Sequence, residues 1–209
     1  MSAPSDPLTL AHWRRTVAEL YAAVRAGQGR DALAAATTFR TSRDRLFGEH
    51  PDSPVPPHRR ARWHGADWYP YDARWRLEAV FEPAPAVTTF DIPLAADGNL
   101  RCARIGTVRF DVEEGSSRLA VYWLAGYGGG IWLPFGDLTN RTTTYGGGRY
   151  LYDTIKGADL GAAASPFVLD FNFAYNPSCA YDDRWSCPLS PLENRLPFAV
   201  PAGERLPPR

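Results

Sequence analysis

Cysteine is scarce, lysine is scarcer, and net charge is absent. The 209-residue chain holds three Cys and a single lysine, Lys156. An odd, low Cys count makes no disulfide framework and fits reduced thiols in a cytoplasm. Lys+Arg and Asp+Glu are both 23, so the formal net charge is zero. No global basic field exists to hold nucleic acid or an anionic membrane. No run of about 18 apolar residues occurs, so no segment reads as a membrane-spanning helix. The stretch Met1 to Pro7 is polar and leads into a charged amphipathic segment, so no targeting segment is expected. The expectation is a cytoplasmic protein with neither nucleic acid nor membrane as partner.

Metal and cofactor signatures are missing as well. Cys179 and Cys187 are eight positions apart, whereas zinc sites favour two to four residues between paired Cys. The nearest His in the chain, His64, is more than a hundred positions from them. The Gly-rich stretches 126–130 and 145–149 match neither a phosphate loop nor a dinucleotide fingerprint. Between strands such glycines make turns and bulges. No metal and no cofactor are expected.

What is present is an ordinary soluble composition, 44% hydrophobic and 22% charged, which argues against disorder. The length suits one large domain, or one domain with a small extension. The 18 Gly and 19 Pro favour turns and short strands over long helices. Leu8 to Arg25 reads as a helix, with Leu10, Trp13, Val17, Leu20, Tyr21 and Val24 on one stripe and Arg14, Arg15 and Glu19 outside. Residues 26–29 end it. A second helix, Asp31 to Phe47, carries a weaker stripe of Leu33, Ala36, Phe39 and Leu46, with Gly48 as its stop. The Pro-rich connector His50 to His58 cannot continue it.

After Pro70 the hydrophobic period changes from about 3.6 to 2. Strands are expected at 75–82, 87–92, 108–112, 119–125, 130–135 and 150–152, with a turn at 115–117. The cleanest alternation runs from Phe167 to Asn176. It sets Phe167, Leu169, Phe171, Phe173 and Tyr175 against Val168, Asp170, Asn172, Ala174 and Asn176. Seven to nine short strands make a mainly β protein with N-terminal helices (α+β). The architecture is an antiparallel β-sandwich or partly closed barrel preceded by a helical hairpin. The division expected is 1–58 for the hairpin and connector and 59–209 for the β-rich part.

Three uses of Cys179 and Cys187 stand beside a metal site: a disulfide, two small packed thiols, or a catalytic Cys179 with His50 as base. Arg149 can reach an anion, or pair with Asp137 or Asp153. The aromatic run Trp63, Trp68, Tyr69, Tyr71 and Trp75, beside Arg59, Arg60 and Arg62, reads as core aromatics next to a solvated basic loop.

Longer ordered patterns add a resemblance. Thr143 to Leu151 is similar to "TY-x-x-GRYL", and Asp170 to Tyr181 to "DFN-x-AYNP-x-CAY". Cys187 to Leu196 is similar to "CPL-x-P-x-EN-x-L", closed by Ala202-Gly203-Glu204. Upstream, Arg43 to Pro54 is similar to "hydrophobic-x-x-HP-x-SP". Together these resemble the bacterial domain-of-unknown-function family 1684, most strongly over 130–205. The resemblance implies a mostly β domain from a prokaryote and no established activity.

Two functions follow for the polar residues of these motifs. In one they line a small-molecule pocket with hydrolysis as its reaction. Asp170 and Glu193 would then be acid and base, Arg149 an anion anchor, and His50, Tyr145, Asn172, Asn176, Tyr181, Asn194 and Arg195 ligand contacts. In the other they are a buried scaffold satisfying backbone groups of Pro-rich loops, in a non-catalytic binding or interaction module.

Overall fold

The computed structural model describes residues 6–27, 31–94, 98–161 and 166–208. Helix α1 (Pro7–Gly27) follows Asp6, whose carboxylate accepts from the Leu8 N–H at 2.9 Å. Its Tyr21 and Val24 are buried, while Trp13, Val17 and Leu20 are half-buried. Helix α2 (Ala32–Glu49) starts at an Asp31 cap, which accepts from Ala34 N–H at 2.9 Å. It runs through Gly48, the expected stop. The break comes at His50, held extended at φ −75 and ψ 138 by Pro51. Gln28 and Gly29, part of the expected turn, lie outside the described residues. The connector contains a one-turn helix, α3 (Pro57–Arg60), opened by a proline whose missing N–H costs nothing at that position.

Six antiparallel strands follow: β1 (Arg76–Pro93), β2 (Asn99–Val112), β3 (Gly115–Leu124), β4 (Gly130–Phe135), β5 (Arg149–Asp153) and β6 (Phe167–Asp170). They form one sheet in the order β5-β4-β3-β2-β1-β6. β1 merges the two strands expected at 75–82 and 87–92. Its first four residues pair with β6, and Val80 onward with β2, across a register shift between Pro83 and Thr88. The prolines there lack the N–H that a regular ladder needs. The turn expected at 115–117 falls instead at 113–114, and Gly115 already pairs with Val112. Just beyond β6, Tyr175 exchanges backbone hydrogen bonds with Tyr150 of β5, at 2.9 and 3.1 Å. That pair nearly closes the sheet into a barrel.

The largest difference from expectation concerns Phe167 to Asn176. Only Phe167–Asp170 is strand; Phe171–Phe173 is a 3-10 turn. Asp170 causes the change, because its carboxylate accepts from Asn172 N–H at 3.1 Å and caps the turn. The supposed polar face is not exposed either: Asp170, Asn172 and Asn176 are all buried. Among the described residues fewer strands form than the seven to nine expected, since two expected strands merge in β1 and Phe198 and Val200 pack as non-strand residues in the core.

The core is continuous across helices and sheet. Tyr21, Val24, Ala36 and Phe39 pack in one cluster with Val108, Phe110, Leu133, Phe135, Leu151 and Phe171. Phe39 meets Tyr21 and Phe173 edge-on, each at 5.1 Å between ring centroids. Trp68, Tyr71 and Trp75 pack against this cluster, so these members of the aromatic run are core residues. Leu33, expected on the apolar stripe of α2, is exposed. No described helix is long and apolar enough to cross a membrane.

Candidate functional site

The motif residues tie the sheet to the C-terminal strap, residues 198–205. Arg149, on β5, is fully buried and pairs with Asp137 at 2.8 Å. Its guanidinium also donates to the carbonyls of Val200 at 3.0 Å and of Ala202 and Glu204. Asp137 in turn accepts from Thr139 Oγ1 and N–H and from Val200 N–H. Burial lowers the Arg149 pKa, and the Asp137 carboxylate opposes that shift. Of the two ion pairs open to Arg149, Asp137 is the partner. The strap approaches closely at Gly203, at φ +79, where a Cβ would stand 2.6 Å from the carbonyls of Phe171 and Ala174. Only glycine fits there.

The amides act on backbone. Asn194 Nδ2 donates to the Ala120 and Pro134 carbonyls at 2.9 and 2.7 Å, and its Oδ1 accepts from Ala120 N–H at 2.8 Å. Asn172 accepts from Asp72 N–H and donates to the Asp72 carbonyl, at 2.9 and 2.8 Å, and also donates to Asp170 at 3.0 Å. Glu193 lies at the surface, taking Tyr122 O–H at 2.5 Å and Arg104 Nε at 3.2 Å. Arg195 is exposed beside it, its backbone bridged to Gly136. Asp170 and Glu193 therefore have separate sets of partners.

A second cluster sits at the seam between helices and barrel. Arg43 of α2 is buried and donates to Glu204 at 3.0 Å, with its guanidinium 3.9 Å from the centroid of the Phe47 ring. Glu204 also accepts from Asn176 N–H at 3.0 Å. Burial raises the Glu204 pKa against the opposing effects of the Arg43 charge and Asn176. Arg43 and Asn176 line a cavity of about 70 Å³, walled mainly by Trp13, Val17, Leu20, Tyr21, Phe39 and Phe47. Lys156, paired with Asp153 at 3.3 Å, and Ser178 stand at the same cavity. Arg43 Nη1 and Asn176 Oδ1 are buried without a hydrogen-bond partner. Tyr181 is buried against Phe47 and Trp63, at 5.4 and 6.0 Å between ring centroids.

His50 and the cysteines occupy two further places. His50 Nδ1 accepts from Asp52 N–H at 3.1 Å, so neutral His50 carries its proton on Nε2 and donates to His12 Nδ1, also at 3.1 Å. Both ring nitrogens are thereby engaged away from Cys179. Cys179 neighbours Cys187 and Tyr145: its N–H points to Cys187 Sγ at 3.4 Å, and Tyr145 O–H lies 3.6 Å from its sulfur. All three cysteines are free thiols, and no group of three or more metal-ligating side chains exists among the described residues.

Residues 61–205 match the family described as protein of unknown function, DUF1684. The chain belongs to the DUF1684 family. Among solved structures it is similar to an uncharacterized protein of Haloarcula marismortui, determined in solution by NMR. The two are 34% identical, with a TM-score of 0.61, over 81% of this chain and 91% of that one. No curated protein matches the chain.

The matched DUF1684 segment supplies Asn176 and Lys156 to the seam cavity and Glu204 as the partner of Arg43, while α1 and α2 supply Arg43 and most of the apolar wall. Sequence reasoning missed Arg43. Its signal was the gap in the α2 stripe: Ala36, Phe39 and Leu46 leave position 43 on the buried face, occupied by a charge. A cation on an apolar face demands a buried partner, and Glu204 of the Ala-Gly-Glu motif is that partner. His12 and Lys156 carried no comparable signal.

Proposed function

We propose that this DUF1684 protein binds a small neutral molecule in the seam cavity, and that the polar motif block is the scaffold that shapes it. The observation carrying the reading is that two residues lining one apolar cavity, Arg43 and Asn176, each keep a buried polar atom, Nη1 and Oδ1, without a hydrogen-bond partner. Leaving a buried polar atom unpaired costs about 1–3 kcal/mol, so the site favours an occupant that supplies both an acceptor and a donor. Charge is already balanced, Arg43 by Glu204 and Lys156 by Asp153. A second buried charge would go uncompensated, which selects a neutral head group such as a primary amide or an alcohol. The cavity is about half the ~150 Å³ that accommodates benzene, so the ligand is short. Hydrolysis is not part of this proposal. Asp170 is fully buried and bonded to Asn172, and Glu193 is engaged by Tyr122 and Arg104.

The test is a thermal-shift and calorimetric series of two- to five-carbon amides, alcohols and carboxylates. A ligand at 100 times its dissociation constant stabilises by about 2.7 kcal/mol. That is a rise in Tm of about 5–10 °C for a domain of this size. Amides or alcohols should stabilise saturably, carboxylates less, and Val17→Phe, which fills the cavity but keeps the Arg43–Glu204 pair, should abolish the effect. Absence of saturable stabilisation by any neutral member would mean that water alone fills the cavity, and the reading would fall.

A further inference from the structure

One residue beyond Ser178 of the seam cavity, Cys179 lies against Cys187 in an open groove with Ile92, Tyr145, Trp185 and Leu189. Both thiols are partly exposed, whereas Cys102, with neither as a hydrogen-bond partner, is fully buried. The Pro177-Ser178 turn into a short 3-10 segment presents the Cys179 N–H to Cys187 Sγ at 3.4 Å. Tyr145 O–H lies 3.6 Å from Cys179 Sγ. Each sulfur thus has a different polar neighbour. A metal would need further ligands, and no such set exists among the described residues.

We propose that Cys179 and Cys187 form a redox-active dithiol, with Cys187 as the attacking sulfur and Cys179 as the resolving one, oxidised by a low-molecular-weight disulfide. Hydrogen bonding from the Cys179 thiol and N–H, together with the Lys156 charge, outweighs burial and lowers the Cys187 pKa, while the Cys179 pKa moves up. The low-pKa thiolate attacks first. The Cys187 thiolate attacks one sulfur of the external disulfide, forming a mixed disulfide and expelling one thiolate. Cys179 then gives up its proton, attacks Cys187 Sγ and expels the second thiolate. The pair loses two electrons and two protons, and the external disulfide becomes two thiols. Cys102, whose pKa burial raises to about 11, takes no part.

The experiment uses the reduced full chain and glutathione disulfide as probe. Denatured thiol titration should fall from three thiols to one, with a mass loss of two hydrogens and no retained glutathione. Cys179→Ser should instead trap one glutathionyl adduct on Cys187. Cys187→Ser should react about tenfold more slowly near pH 6.5, because only the higher-pKa thiols remain. Melting curves of both variants serve as the control for folding. Three surviving thiols under excess disulfide, or stable adducts on both sulfurs of the wild-type chain, would overturn the proposal. Equal rates for Cys187→Ser and wild type would overturn the assigned order.

Discussion

Two buried arginines, each paired with a carboxylate, sit in different surroundings. Arg149, inside the barrel, has Asp137 and three strap carbonyls, and only its Nε lacks a partner. Arg43, at the seam, has one hydrogen bond to Glu204, and its Nη1 lacks a partner beside a cavity. The ion pair is common to both, so pairing does not distinguish scaffold from site. What surrounds the remaining donors does: three strap carbonyls at Arg149, and rings beside a cavity at Arg43. Around Arg149 the backbone of the strap closes in, held by Gly203. Around Arg43 the neighbours are rings, which attract the cation's face but accept no hydrogen bond in its plane.

Substitutions test this contrast. Arg149→Met should have the largest effect, about 3–5 kcal/mol lost in urea unfolding, because the buried Asp137 carboxyl is left without its ion-pair partner. Arg43→Met should cost less, since Glu204, with its raised pKa, can take a proton when its partner goes. Adding Glu204→Gln to Arg43→Met should recover part of the loss. If Arg43→Met proves as costly as Arg149→Met, the contrast between the two regions is wrong. Asn172→Ala should cost about 1–3 kcal/mol, as it frees both backbone groups of Asp72. Unchanged melting would remove Asn172 from the scaffold.

The smallest effect is a pH drift confined to the helical side. Burial lowers the His50 pKa below its usual 6.5, so between that value and the folded pKa the unfolded chain binds the extra proton. Stability from neutral His50 is complete above pH 6.5 and is lost as pH falls. Protonation also breaks a bond, because both His50 nitrogens are already committed, one accepting from Asp52 and one donating to His12. The groups facing His50 are His12, Asp52 and Arg60; Asp52 opposes the shift, while His12 and Arg60 add to it. Tm should therefore decline from pH 7.5 to 5.5, and His50→Gln should flatten that slope. Glu204 has the opposite sign, since its raised pKa favours the fold at lower pH, so Glu204→Gln should steepen the decline.

Elements with strong local signals were legible. The run Gly130–Phe135 is a strand with the expected bounds, and α1 buries the end of its expected stripe, because burial pattern and local preference agree there. Phe167 to Asn176 was misread, since period 2 says nothing about a side chain that caps its own backbone two residues on. For the site, Asn176 and the Ala-Gly-Glu motif were visible. The meeting of Arg43 with Glu204 was not, since 161 positions separate them.

The sequence by itself determined a helical pair followed by antiparallel β-structure, and which polar residues belong to the motif block, because these follow from nearest neighbours and hydrophobic period. Only the tertiary structure decided which of those polar groups are satisfied and which are left open. That depends on where the strap and α2 come to rest against the barrel, and a hydrogen bond closes or stays open within about half an ångström.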